Sequence, residues 1–261
     1  MRTVLQSLLL AVALSAITVA SAQAPPGMVL VPAGVFRPPF RVAAQPAETP
    51  VAAFLLDVLP VTNEDFLRFV RATPEWQRSR VDRRFADATY LKHWAGDLDL
   101  GDALTNAPVT HVSWFAARAY AQWLGKRMPK TREWELAAAA STTQPDATRE
   151  PEFQQRILRW YSTPTLARLP AVGTGPANFF GLRDLHGLAW EWVADFDAPW
   201  AGNEMTGAER DAICGAGALG ARDPGAYANF MRYGFRNSLQ ANYCVGSLGF
   251  RCAKSAVPNP P

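Results

Sequence analysis

The groups in this chain best suited to chemistry are three cysteines, Cys214, Cys244 and Cys252, all in its last fifth. In an oxidising compartment an odd count resolves into one disulfide and one leftover thiol, and spacing does not say which two pair. A leftover thiol beside Arg or His is a thiolate nucleophile or a soft ligand for copper(I). Cys214 is the first choice, because Cys214-Gly215-Ala216-Gly217 surrounds it with small residues that let a substrate approach. The histidines, His93, His111 and His186, lie far apart and form no metal-ligand pair at helical spacing. His111, just ahead of Ser113 at a helix start, reads as a structural hydrogen-bonding residue. No serine sits in a Gly-x-Ser-x-Gly elbow and no Gly-rich loop follows a strand, which removes the common serine hydrolases and most nucleotide enzymes. The run Arg78-Ser79-Arg80-Val81-Asp82-Arg83-Arg84 reads as a solvated surface strip broken by Asp82.

These groups need a scaffold, and the composition can build one. With 261 residues, 49% hydrophobic and 19% charged, the chain is neither disordered nor collagen-like and can bury a sizeable core. Its 26 basic and 23 acidic residues are too evenly matched to argue for nucleic acid or an anionic membrane. Nine Trp supply large side chains of the kind that fill cores with little regular structure. At the N-terminus, Arg2, the apolar run Leu5 to Val19 and Ala22-Gln23-Ala24 read as a secretory signal at 1–24. The run is shorter than the roughly 20 residues of a spanning helix. The expected product is a single domain, 25–261, periplasmic or secreted and free of the membrane once cleaved.

The positioning elements follow from local patterns. A strand is expected near 28–32. Thr62 with Asp65 three residues on is a box-like helix start, and Thr73-Pro74 ends that helix. A second helix starts at Ser113, carries Trp114, Ala117, Tyr120, Ala121 and Leu124 on one side, and stops at Gly125. A third begins at Pro129-Lys130-Thr131 and runs through Glu133-Trp134-Glu135-Leu136. Beyond Ser141 the chain reads as short segments broken by Gly, Pro, Asn and Asp.

Several segments together resemble the formylglycine-generating enzyme, or sulfatase-modifying-factor, family. Gly27-Met28-Val29-Leu30-Val31-Pro32-Ala33-Gly34 is similar to its first strand, and Pro60-Val61-Thr62-Asn63 to its "PVTN" helix entry. Pro108-Val109-Thr110-His111-Val112-Ser113-Trp114 resembles "PV-x-x-VSW", and Arg127 to Glu135 follows "RLPTEAEWE" in outline. Gly181-Leu182-Arg183-Asp184-Leu185-His186-Gly187-Leu188-Ala189-Trp190-Glu191-Trp192 resembles "GLYDMHGNVWEW", and Leu248-Gly249-Phe250-Arg251-Cys252 the "LGFRC" ending. The matches keep the family's order across nearly all of 25–261.

The resemblance implies an α+β fold: one loop-rich domain of the formylglycine-generating type, related to C-type-lectin-like folds, with a twisted antiparallel sheet and a few helices. It also implies that Trp114, Trp134, Trp190 and Trp192 are packing residues. In the family's oxidases two cysteines hold copper(I), and the metal activates oxygen to convert a substrate cysteine to formylglycine. The corresponding positions here are Ala228 and Tyr233, so copper at that pair is not supported. Leu188 replaces the Asn of the "GN-x-WEW" turn, which weakens the case for the calcium site of many relatives. Catalytic candidates are then Cys214, Tyr233 and Arg236, with Cys244 and His186 for substrate binding and the metal unknown. Three functions fit: oxidative modification of a protein or peptide-derived substrate at a non-standard site, a non-catalytic accessory or maturation factor for an exported, even copper-bearing, enzyme, and a lectin-like binding module. The partner in each case is an exported protein or peptide, not nucleic acid.

Overall fold

The computed structural model of the chain describes residues 24–38, 46, 48–196 and 224–256. Its central strand is built on alternation: in Phe54-Leu55-Leu56-Asp57 the first and third side chains are buried. This strand, β4 (Phe54–Asp57), lies between β1 (Met28–Val31) and β7 (Ala253–Ser255), antiparallel to both. Register places Val31 opposite Phe54 and Leu56 opposite Ala253, so the two ends of the domain meet on one strand. A second antiparallel pair joins β2 (Gly34–Phe36) to β3 (Thr49–Val51). The antiparallel expectation thus holds for these two sheets. A two-residue parallel ladder adds to it, pairing β5 (Trp190–Glu191) with β6 (Leu248–Gly249).

Helix α1 (Asn63–Ala72) starts from a capping box in which Thr62 Oγ1 accepts the Asp65 N–H at 3.1 Å and the Asp65 carboxylate accepts the Thr62 N–H at 3.2 Å. Helix α2 (Trp114–Trp123) is capped by Ser113 Oγ, which accepts from Ala116 N, and Gly125 follows it at φ 62°. Helix α3 (Thr131–Ala138) opens where Glu133 accepts the Lys130 N–H at 2.8 Å. All three begin where their sequence patterns place them.

The stretch beyond Ser141 corrects the reading of broken segments, because it contains two further helices. Helix α4 (Pro151–Tyr161) buries Phe153, Gln154 and Ile157, a helical stripe that opens with Pro at its first position. Helix α5 (Pro224–Asn237) also begins with Pro and carries Gly225 and Gly234. Gly234, in its interior, costs about 1 kcal/mol against Ala, so this helix depends on packing against α4 and on ion pairs to α3 more than on propensity.

The core is aromatic. Phe66 of α1 stacks on Tyr120 of α2 with ring centres 5.6 Å apart, and Phe250 packs edge-on against both. Trp134 and Trp192 are buried, while Trp114 and Trp190 are half-buried. Three of the four indoles donate inward: Trp114 to the Val193 carbonyl, Trp134 to Glu191 and Trp192 to the Val112 carbonyl. Their expected packing role is what the structure has. Among the described residues no helix is long and apolar enough to cross a membrane.

Candidate functional site

The site grows from two neighbours on α3 whose side chains diverge. Trp134 sends its N–H to Glu191 Oε2 at 2.7 Å, and Glu135 turns toward α5. There Arg232 meets Glu135 through Nε at 3.1 Å and Nη2 at 2.8 Å, and Arg236 Nη1 donates to it at 2.7 Å. All three side chains are buried. Both guanidinium groups also lie over the Trp134 ring, at 5.9 and 5.0 Å from its centre. Tyr161 of α4 is a further partner, accepting from Arg232 Nη1 at 3.0 Å. Burial works to raise the Glu135 pKa, but the two arginines outweigh it and hold the carboxyl down at about 2.

This ion cluster forms one wall of a cleft of about 560 Å³. Strand β2 and helices α3, α4 and α5 enclose it, with Phe36, Leu136, Phe153 and Ile157 as apolar walls and Arg37, Glu48, Asp146 and Arg149 as charges. Ala228, which the family resemblance sets at one of the two copper-cysteine positions, lines this cleft. No Cys, His, Tyr or Ser is among the described lining residues. The arrangement can hold an extended mixed-charge ligand, and among the described lining residues no Cys, His or Met offers a soft metal ligand to it.

The residues expected at a site disperse. Cys214 lies outside the described residues. Tyr233 and Arg236 are both buried on α5, with the Arg236 guanidinium 5.4 Å from the Tyr233 ring centre, but neither lines the cleft. Arg232, one turn from Arg236, does. Burial, and then Glu135, push the Tyr233 phenol well above its ordinary pKa. His186 packs among Trp134, Phe153 and Trp160, and its Nε2–H donates to the Ala138 carbonyl at 2.9 Å. Cys244 sits elsewhere, under the Asp87 carboxylate, which accepts its N–H. Cys244 and Cys252 are free thiols, both buried, so they do not supply the disulfide between themselves.

Sequence reasoning missed Glu135 and Arg232, because only the packing of α5 on α3 brings them together across 97 residues. The Trp-Glu pair at 134–135, charged beside the alanines of a buried helix, was the available sign. It also set the histidines apart, whereas His93 and His111 meet with ring centres 5.3 Å apart, a contact between loops that helical spacing does not describe.

Comparison with known proteins agrees with this architecture. A formylglycine-generating enzyme of Thermomonospora curvata is 28% identical over 285 residues, covering 87% of this chain and 93% of that one. An inactive C-alpha-formylglycine-generating enzyme 2 of Mus musculus is 30% identical over 278 residues, covering 88% and 86%. A serine/threonine-protein kinase pkn1 of Chlamydia caviae is 30% identical over 215 residues, but this chain spans only 33% of that protein's length. Among solved structures, PvdO from Pseudomonas aeruginosa shares the fold, with a TM-score of 0.50 and 21% identity over 87% of this chain and 94% of that one. The sulfatase-modifying factor enzyme 1-like domain matches residues 15–256, and the chain belongs to that family.

Proposed function

We propose that this protein is an exported accessory factor of the formylglycine-generating family, which binds a peptide segment of a client protein in the cleft between α3, α4 and α5 without oxidising it. The observation that carries this reading is Ala228: a methyl group lines the cleft at a position where the resemblance implies a copper cysteine, and no Cys, His or Met is among the described lining residues. Cys244 and Cys252 are unsuited to substitute, since burial pushes both thiols well above their ordinary range and neither lines the cleft. Loss of chemistry with retention of the domain has a parallel in the mouse relative named as inactive. Export rests on the leader at 1–24.

The cleft's mixed charges and apolar walls suit an extended peptide, whose backbone and alternate side chains fill it. Selection of a displayed peptide library on the purified protein, repeated with Ala228→Trp, tests this. Peptides enriched on the wild type and lost on the variant support it. Cysteine peptides that change mass on incubation with copper(I) and air would instead support the oxidative reading, with Cys214 as the first ligand to replace. No enrichment would overturn cleft binding.

A further inference from the structure

Away from that cleft, a second cavity of about 310 Å³ is lined by both His93 and His111. The hydrogen bonds around it decide where each imidazole keeps its proton. Asn63 Nδ2 donates to the Leu104 carbonyl, and Asn63 Oδ1 accepts from Trp94 Nε1, so that amide has one orientation. His93 Nε2, 3.1 Å from the same Oδ1, must therefore carry the hydrogen. Its Nδ1 is left as a lone pair, buried and without a hydrogen-bond partner among the described residues. On the other ring, Nδ1 lies 3.2 Å from the Cys244 carbonyl and must donate to it, which leaves Nε2 as the lone pair. The space in front of that Nε2 is kept by Gly246, where an added Cβ would stand 2.8 Å from it.

We propose that His93 and His111 form a two-histidine site for a borderline transition-metal ion, with zinc(II) or copper(II) as the class, whose remaining positions are open to water or an exogenous ligand. Each ring has one nitrogen oriented by a protein acceptor and the other presented as a lone pair, the arrangement that outer hydrogen bonds give to metal-ligating histidines. The ring centres are 5.3 Å apart. A tetrahedral ion at about 2.0–2.1 Å from two imidazole nitrogens spaces the rings by roughly 5 Å. Among the described residues no third His, Cys, Asp or Glu joins them, so the site is open rather than a closed structural one. Lys92, Arg78 and Arg168 oppose a dication there, and Asp87 and Asp102 offset them only in part, since Asp102 also pairs with Arg168.

The test uses purified, tag-free protein titrated with zinc(II) and copper(II) chloride by calorimetry, with electron paramagnetic resonance of the copper form. The expected result is one equivalent bound, with nitrogen couplings from two imidazoles. H93Q, H111N and G246A should each weaken binding by more than about tenfold. Asn is chosen at 111 because that residue sits at φ 53°, a region Asn tolerates. G246A alters neither ring, so it keeps the test decisive if a histidine variant misfolds. No binding by the wild type, or binding untouched by G246A and by whichever histidine variants fold, overturns the site.

Discussion

Arg251 and Glu191 form an ion pair in which neither side chain reaches solvent, with Nη2 to Oε1 at 2.8 Å and Nε to Oε2 at 2.9 Å. The other guanidinium hydrogens go to the carbonyls of Asp57, Val58 and Arg183, so all five donors are used. Glu191 also receives the Trp134 indole. One buried charge pair therefore ties β4, the 181–192 turn, α3 and the chain's end into a single arrangement. A buried pair of this kind adds little net stability over apolar residues, but it strongly penalises any arrangement that leaves one member alone.

Arg251→Leu should accordingly destabilise the fold by about 3–5 kcal/mol, because it strands the Glu191 carboxylate. The double change Arg251→Leu with Glu191→Leu should recover part of that loss. Urea unfolding of the three proteins checks it, and a single-variant loss below about 1 kcal/mol would show the pair to be dispensable.

Glu135 gives a pH signature. Its carboxyl is held at about 2 against an unfolded value of 4.5. A depressed carboxyl contributes stability above the unfolded value and loses it as pH falls toward the folded one. The wild type should therefore lose stability between pH 4.5 and 2 more steeply than Glu135→Gln does. Parallel midpoints for the two proteins across that window would mean that Arg232 and Arg236 do not hold the charge.

Much of the fold was legible where local chemistry decides. Thr62, Ser113 and Gly125 mark helix ends through caps that depend only on near neighbours. Helices α4 and α5 were illegible for the opposite reason: Pro151 and Pro224 looked like breaks but open helices, and Gly225 and Gly234 hid a helix sustained by distant partners. The same holds at the site. Ala228 was placed by counting back from the "LGFRC" ending, whereas Arg232 on Glu135 and His93 beside His111 arise from tertiary packing that no spacing rule encodes.

Gly249 tests the close approach of β6 to a neighbouring loop. A Cβ there would lie 2.6 Å from the Val109 carbonyl oxygen, a backbone atom that cannot swing away. Gly249→Ala should cost about 1–3 kcal/mol, as overpacking does in well-filled interiors. Thermal unfolding reads it, and an unchanged melting temperature would mean that the loop yields freely.

The two buried thiols should be inert in the native protein. Cys244 and Cys252 are both buried, and burial raises their pKa, so little thiolate exists at neutral pH. Iodoacetamide followed by peptide mapping should leave both unlabelled until denaturant is added. Rapid native labelling of Cys252, which is fully buried, would contradict the core described above.

His186 sets the milder end of the acid limb. Its Nε2–H is committed to the Ala138 carbonyl, so a second proton must go to Nδ1, which is buried with no hydrogen-bond partner among the described residues. Burial, and then Arg232, lower its pKa from 6.5 to about 3. The unfolded chain takes up that proton first, so this contribution is complete above pH 6.5 and is lost as pH falls toward 3. By pH 5 the loss should reach about 2 kcal/mol, set by the unfolded value alone. His186→Gln can still donate to Ala138 but cannot titrate, so the wild type should lose ground to it steadily from pH 7 to pH 5. Denaturant titrations of both proteins at these pH values decide the matter: a constant difference would mean that the ring is protonated in the folded protein and that Nδ1 has a partner.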